Sequence, residues 1–132
     1  MNYKLDKLID ELKALSDKTR LRTMWVLKRA QSELCVCEII DALEENQYNV
    51  SRHLKILKNA GLAGERKQGT FVFYSLSKAG DKAHRVILEL ISSIDKDTLP
   101  ADAKRLAKRL SMRKNGQCVI GCMTKKQFSG VK

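Results

Sequence analysis

"NVSRHLKILKNAGLAGERKQGTFVFYSLS", residues 49–77, changes its period once, and that change decides the fold. As far as Gly61 the apolar residues Val50, Leu54, Ile56 and Leu57 recur at helical intervals, and glycine then ends the helix in the way left-handed C-termini do. Beyond Gly61 the pattern is that of strands. Phe71 and Phe73 alternate with Val72 and Tyr74, and Gln68-Gly69 supplies a turn, so a β-hairpin with a cationic tip at Arg66 and Lys67 is expected. A helix running directly into a basic hairpin is the end of a winged helix-turn-helix.

The flanking sequence supplies the other helices. "CEIIDALEE" (37–45) predicts a short helix three with Ile39, Ile40 and Leu43 apolar, and "ENQY" (45–48) leaves room only for a tight turn into helix four. Leu5, Leu8, Ile9, Leu12 and Leu15 form one stripe of a first helix. Ser16 or Asp17 can cap a second, "KTRLRTMWVLKRA" (18–30). "KAGDKAHRVILELISSI" (78–94) reads as a long fifth helix with Ala83, Val86, Ile87, Leu90, Ile91 and Ile94 along one side. Pro100 precedes a sixth, "ADAKRLAKRL" (101–110), with a thin apolar stripe and a strongly basic face. The expected class is mainly α with a β-hairpin wing. Residues 1–113 are expected to form one winged helix-turn-helix domain. Residues 114–132 are a basic, cysteine-containing tail, flexible unless its cysteines are tied down.

The formal charge is +11, but its distribution matters more than its size. From Ala101 onward there are nine basic residues against the single acid Asp102, while residues 1–100 carry 17 against 14. The body must therefore be judged on local pattern. No run of about 18 apolar residues occurs and the N-terminus is charged and amphipathic, so the protein is expected to be cytoplasmic, with no membrane association and reduced cysteines. Phosphate loops, paired catalytic carboxylates and a Ser/His/Asp arrangement are absent, which argues against an enzyme. A nucleic-acid-associated structural module using its basic tail is a different class of function, and it predicts sequence-independent binding with a steep salt dependence.

The outer face of helix four presents Gln47, Asn49, Ser51, Arg52, His53 and Lys55, types that donate to phosphates or read base edges. They cluster at the N-terminal end, the part of a recognition helix that approaches bases. Lys67, Gln68 and Thr70 at the hairpin tip would reach the flanking backbone or minor groove.

"VSRHLKILKNAGLAGERKQGTFVFYSLS" and "LKALSDKTRLRTMWVLKRAQSELCVCEIIDAL" together resemble the ArsR/SmtB family of metal- and arsenic-responsive repressors, over roughly residues 5–94. The resemblance implies a homodimer joined through helices one and five, with one recognition helix in each half of an inverted-repeat operator. DNA binding would need no cofactor. His53 of the S-R-H-L-K motif is then a DNA-contact or helix-packing residue rather than a metal ligand.

"ELCVCEI" (33–39) carries the effector reading. Thiolates suit soft ions, and trivalent arsenic or antimony wants three sulfurs. Family members that sense arsenite follow C-V-C with another cysteine three positions on, where this chain has Ile40. Cys35 and Cys37 are thus the first-choice ligands for arsenite or antimonite. Residues two apart on an intact helix point in different directions, so sharing an ion requires helix three to begin at or after Cys37 or to unwind its first turn. Cys118 and Cys122 of "CVIGC" are the second-choice ligands, as a third sulfur or as a site of their own. A zinc site on helix five lacks ligands, since Asp81 and His84 read as a surface pair with only Glu89 beyond. The alternatives are a cadmium- or lead-responsive repressor, or a redox or persulfide switch through low-pKa cysteines.

Overall fold

The computed structural model describes residues 3–78 and 80–131. Met1, Asn2, Ala79 and Lys132, which fall in the stretches assigned above to the first helix, the fifth helix and the tail, lie outside the described residues. Helices α1 (Tyr3–Leu15) and α2 (Lys18–Ala30) are separated by Asp17, whose carboxylate accepts from the Arg20 amide at 3.0 Å and caps α2. Thr23, Met24, Trp25, Val26 and Leu27 are consecutive and all buried, so α2 runs through the middle of the molecule. Around it pack Ile39 and Leu43 of α3 (Val36–Leu43), Val50, Leu54 and Leu57 of α4 (Gln47–Asn59), Ile87 and Ile91 of α5 (Lys82–Ser92), and Leu106 of α6 (Pro100–Ser111). The α3–α4 connection turns on Glu44, at φ 55°, and Asn46, which caps α4.

Strands β2 (Ala63–Gln68) and β3 (Phe71–Leu76) pair antiparallel from Ala63 opposite Leu76 to Gln68 opposite Phe71. Gly69 takes φ 60° at the tip, where a side chain would be strained. A third strand, β1 (Leu34–Cys35), joins the other edge of β3, giving the order β1-β3-β2. This strand is not predicted from the sequence, because two residues are too few for an alternating pattern. The architecture is the winged helix-turn-helix expected.

Three elements differ from expectation. The apolar stripe of the fifth helix divides: Ile87 and Ile91 are buried, while Val86 and Leu90 of α5 are exposed, as are Ile9 and Leu12 of α1. The arginines of α6 turn inward, Arg109 buried and Arg105 half-buried, while Lys104 stays exposed. Arg105, Arg109 and Arg113 recur every four residues and run along α3. Arg105 Nε donates to Ala42 O at 2.9 Å, Arg109 Nε lies 2.8 Å from Asp41 Oδ2, and Arg113 donates to both Glu38 oxygens at 2.6 and 2.8 Å. Finally, the segment after Arg113 is tied down. It returns across α3 and ends in a short helix, α7 (Lys125–Ser129), that buries Phe128, whose carbonyl accepts from Lys108 Nζ at 2.7 Å.

Candidate DNA-reading face and cysteine cluster

Asn46 Oδ1 accepts from the Asn49 amide at 2.8 Å, which starts α4 two residues before the expected Asn49 and brings Gln47 and Tyr48 into its first turn. Gln47, Ser51, Arg52 and Lys55 are exposed and Asn49 is half-buried, on the side away from Val50, Leu54 and Leu57. Lys67, Gln68 and Thr70 are exposed at the wing tip. A groove of about 470 Å³ separates the two sets, with Gln47 and Ser51 on one wall and Lys67 and Thr70 on the other. Sequence reasoning omitted Tyr48, an aromatic side chain of α4 that is 76% exposed. The available signal was its place between two polar residues in the first turn.

His53 is a correction. It is buried against α2 rather than presented with the other polar groups, and Arg20 Nη1 donates to its Nδ1 at 3.1 Å. A guanidinium cannot accept, so Nδ1 is the unprotonated nitrogen and the ring is neutral. Burial pushes its pKa below the usual 6.5, against the pull of Asp17. His84 is a second correction: only Asp81 of the supposed surface pair is exposed, as the N-cap of α5, while the His84 ring is buried 3.6 Å from Glu11. A third concerns Arg66, which is not a free cation at the tip. It pairs with Glu33, donates to Gln68 Oε1 at 2.7 Å and lies over the Phe73 ring.

The cysteines pair crosswise. Cys35 ends β1 and is the N-cap of α3, in extended conformation and 1% exposed; Cys37 falls in the first turn of the helix. The two therefore face different neighbours. Cys37 is bonded to Cys122 in a disulfide, and Cys35 and Cys118 are free cysteines that act on each other electrostatically. Each cysteine of α3 thus meets one from the tail. Burial, then Glu38 and Cys35, push the Cys118 thiol up to about 11, so this sulfur is held protonated. Its Sγ donates to Ile120 O at 3.3 Å.

Beneath the cluster lies a buried carboxylate that sequence reasoning also missed. Glu38 Oε1 accepts from the Cys35 amide at 2.9 Å, and the same carboxylate is held by Arg113. Arg109 Nη2 donates to the carbonyls of Ile120 and Gly121 at 2.7 and 3.0 Å, which fixes the tail between its two cysteines. The four-residue recurrence of Arg105, Arg109 and Arg113 was the readable sign of this clamp. Among the described residues no three His, Cys, Asp or Glu side chains converge as metal ligands, because the disulfide commits two of the sulfurs to each other.

A family model described as "Bacterial regulatory protein, arsR family" matches residues 17–64. The chain is 36% identical over 110 residues to the arsenic resistance transcriptional regulator ArsR1 of Pseudomonas putida, covering 83% of each chain. It is 47% identical over 64 residues to a cadmium resistance transcriptional regulatory protein CadC homolog of Staphylococcus aureus, covering 48% of this chain and only 52% of that one. Among solved structures, the homodimeric winged helix-turn-helix domain of Mb0332 from Mycobacterium bovis, a possible ArsR-family regulator, matches with a TM-score of 0.57 and 28% identity, over 70% of this chain and 83% of that one.

Proposed function

Because the chain belongs to the arsR family of bacterial regulatory proteins, we propose that it is a cytoplasmic, homodimeric repressor of an inverted-repeat operator, released when arsenite or antimonite binds its cysteine thiolates. The observation that carries this reading is the position of the cysteine pair. Cys35 and Cys37 sit at the start of α3, the helix packed beneath the recognition helix α4, so a change of ligation there acts on the element that orients DNA-reading side chains.

Homodimerisation is supported by the apolar side chains left uncovered on two elements, Ile9 and Leu12 of α1 and Val86 and Leu90 of α5, and by the homodimeric Mb0332 domain. Two-fold symmetry then matches an inverted repeat. The donor set suits a soft ion once the disulfide is reduced, because four thiols then lie in one neighbourhood: Cys35 and Cys37 as first ligands, Cys118 or Cys122 as the third sulfur that Ile40 does not provide. The bound ion would supply strong bonds to sulfur. The chain's part is to hold Cys35 at the buried cap and to present the tail sulfurs opposite α3. No helix among the described residues is long and apolar enough to cross a membrane.

The test uses fully reduced protein on a duplex recovered from a random-sequence pool. Arsenite is expected to release wild type from this duplex. The C35S/C37S variant should bind it equally well and stay bound. Undiminished release of that variant overturns the cysteine assignment, and release by cadmium but not arsenite would favour the reading that the CadC homolog suggests.

A further inference from the structure

The tail does more than bring sulfur to α3. The groove between recognition helix and wing is lined by the strand–helix corner of Cys35, Val36 and Cys37, by wing residues that include Glu65, Phe71, Val72 and Tyr74, and by Gly121 and Cys122 of the tail. Four of the residues read as DNA contacts, Gln47, Ser51, Lys67 and Thr70, share this one groove with the tail. We propose that residues 117–124 are a strap that excludes DNA from the reading face whenever Cys37 and Cys122 are linked to each other.

Charge supports this. The protein carries +11, yet Gln117 to Thr124, "QCVIGCMT", has no charged residue, and Val119 and Ile120 are exposed. A duplex entering the groove brings phosphates that bind through Lys and Arg, and the uncharged Gly121 and Cys122 there offer them nothing. Arg109 grips the middle of the strap through the Ile120 and Gly121 carbonyls, and beyond its C-terminal end Phe128 is buried beneath Lys108. The Cys37–Cys122 link adds the covalent tie that holds Cys122 at the groove. Closure by oxidation is balanced with a hydroperoxide as oxidant: two thiols lose two protons and two electrons to form the S–S bond, and ROOH takes them up as ROH and water. Cys122 is exposed and Cys37 half-buried, so an oxidant reaches both. The inference rests on the reading of this chain as a sequence-specific repressor but differs in cause: the strap blocks the face directly, whereas ligation at α3 alone would act by moving α4.

The experiment uses the full chain carrying C35S/C118S, which leaves Cys37 and Cys122 as the only sulfhydryls, and a duplex selected from a random pool by its reduced form. Oxidation with hydrogen peroxide should weaken binding at least tenfold, and dithiothreitol should restore it. The same chain with C122S added is then capped at Cys37 by a mixed disulfide with 2-mercaptoethanol, and should keep the affinity of the reduced protein. If the cap weakens binding as much as the disulfide does, modification of α3 is the cause and the strap is refuted. Equal binding in oxidised and reduced states also refutes it, while leaving the repressor reading intact. Should the reduced protein recover no preferred sequence from the pool, both readings fall.

Discussion

His53 lies at the junction of α2 and α4 as a neutral ring, and its lowered pKa has a consequence for stability. The unfolded chain takes up a proton near pH 6.5 that the folded ring resists, so the stability held above pH 6.5 is lost as pH falls toward the depressed folded value. Thermal melts should show the melting temperature declining below pH 6.5, before carboxylates titrate, and the decline should flatten in H53Q. At the other end of α4, Tyr48 is 76% exposed beside Gln47, where nothing in the fold needs an aromatic ring. Y48A should leave the melting temperature within about a degree and weaken binding to the selected duplex by about 1 kcal/mol, the scale of a base-edge or methyl contact. An unchanged dissociation constant would remove Tyr48 from the interface.

At the scale of elements, α3 is the part held from most sides. Its N-terminus is capped through Glu38, its middle faces Arg109 through Asp41, and its last carbonyls accept from Arg105 and from Arg22, which donates to Leu43 O at 2.6 Å. Arg22 is in turn fixed by a bidentate pair with Asp102 of α6. Glu38 is fully buried and paired with Arg113 at 2.6 Å. R113L should strand that carboxylate and cost about 3 to 5 kcal/mol in urea unfolding, whereas E38Q/R113L, which removes both charges, should recover a large part of the loss. A simple sum of the two single substitutions would mean that the pair is not coupled.

At the scale of the whole molecule, the apolar surfaces of α1 and α5 and the polar face of α4 divide the labour. L12E/L90E places charges on side chains that are 50% and 59% exposed, so the protomer should keep its fold by circular dichroism. Sedimentation should show a monomer, and operator affinity should fall by more than a hundredfold, because two half-sites are no longer read together. Basic residues on the reading face act differently. K55A and K67A should each weaken binding to selected and random duplexes alike and reduce the slope of log K against log salt by about one. A salt slope unchanged in either variant would mean that the residue does not touch phosphate.

The sequence by itself determined the first six helices, the wing and the polar side of α4, because each is a local pattern: a 3.6-residue stripe, an alternation around Gln68-Gly69, a cluster of donors in one turn. The cysteine pair was legible as a motif, but its spacing left open a helix beginning at or after Cys37, and what separates the two is that Cys35 ends β1 while Cys37 lies in α3. Long-range placement decided the rest. Nothing local distinguishes an arginine stripe in water from one laid along α3, or a histidine on a DNA face from one buried against Arg20. The disulfide partner of Cys37 lies 85 residues away, and chain connectivity alone does not say where a tail will land. Burial of Glu38 and the clamp of Arg109 and Arg113 set that landing point, since a buried carboxylate requires a cation and Arg113, just past the end of α6, supplies it.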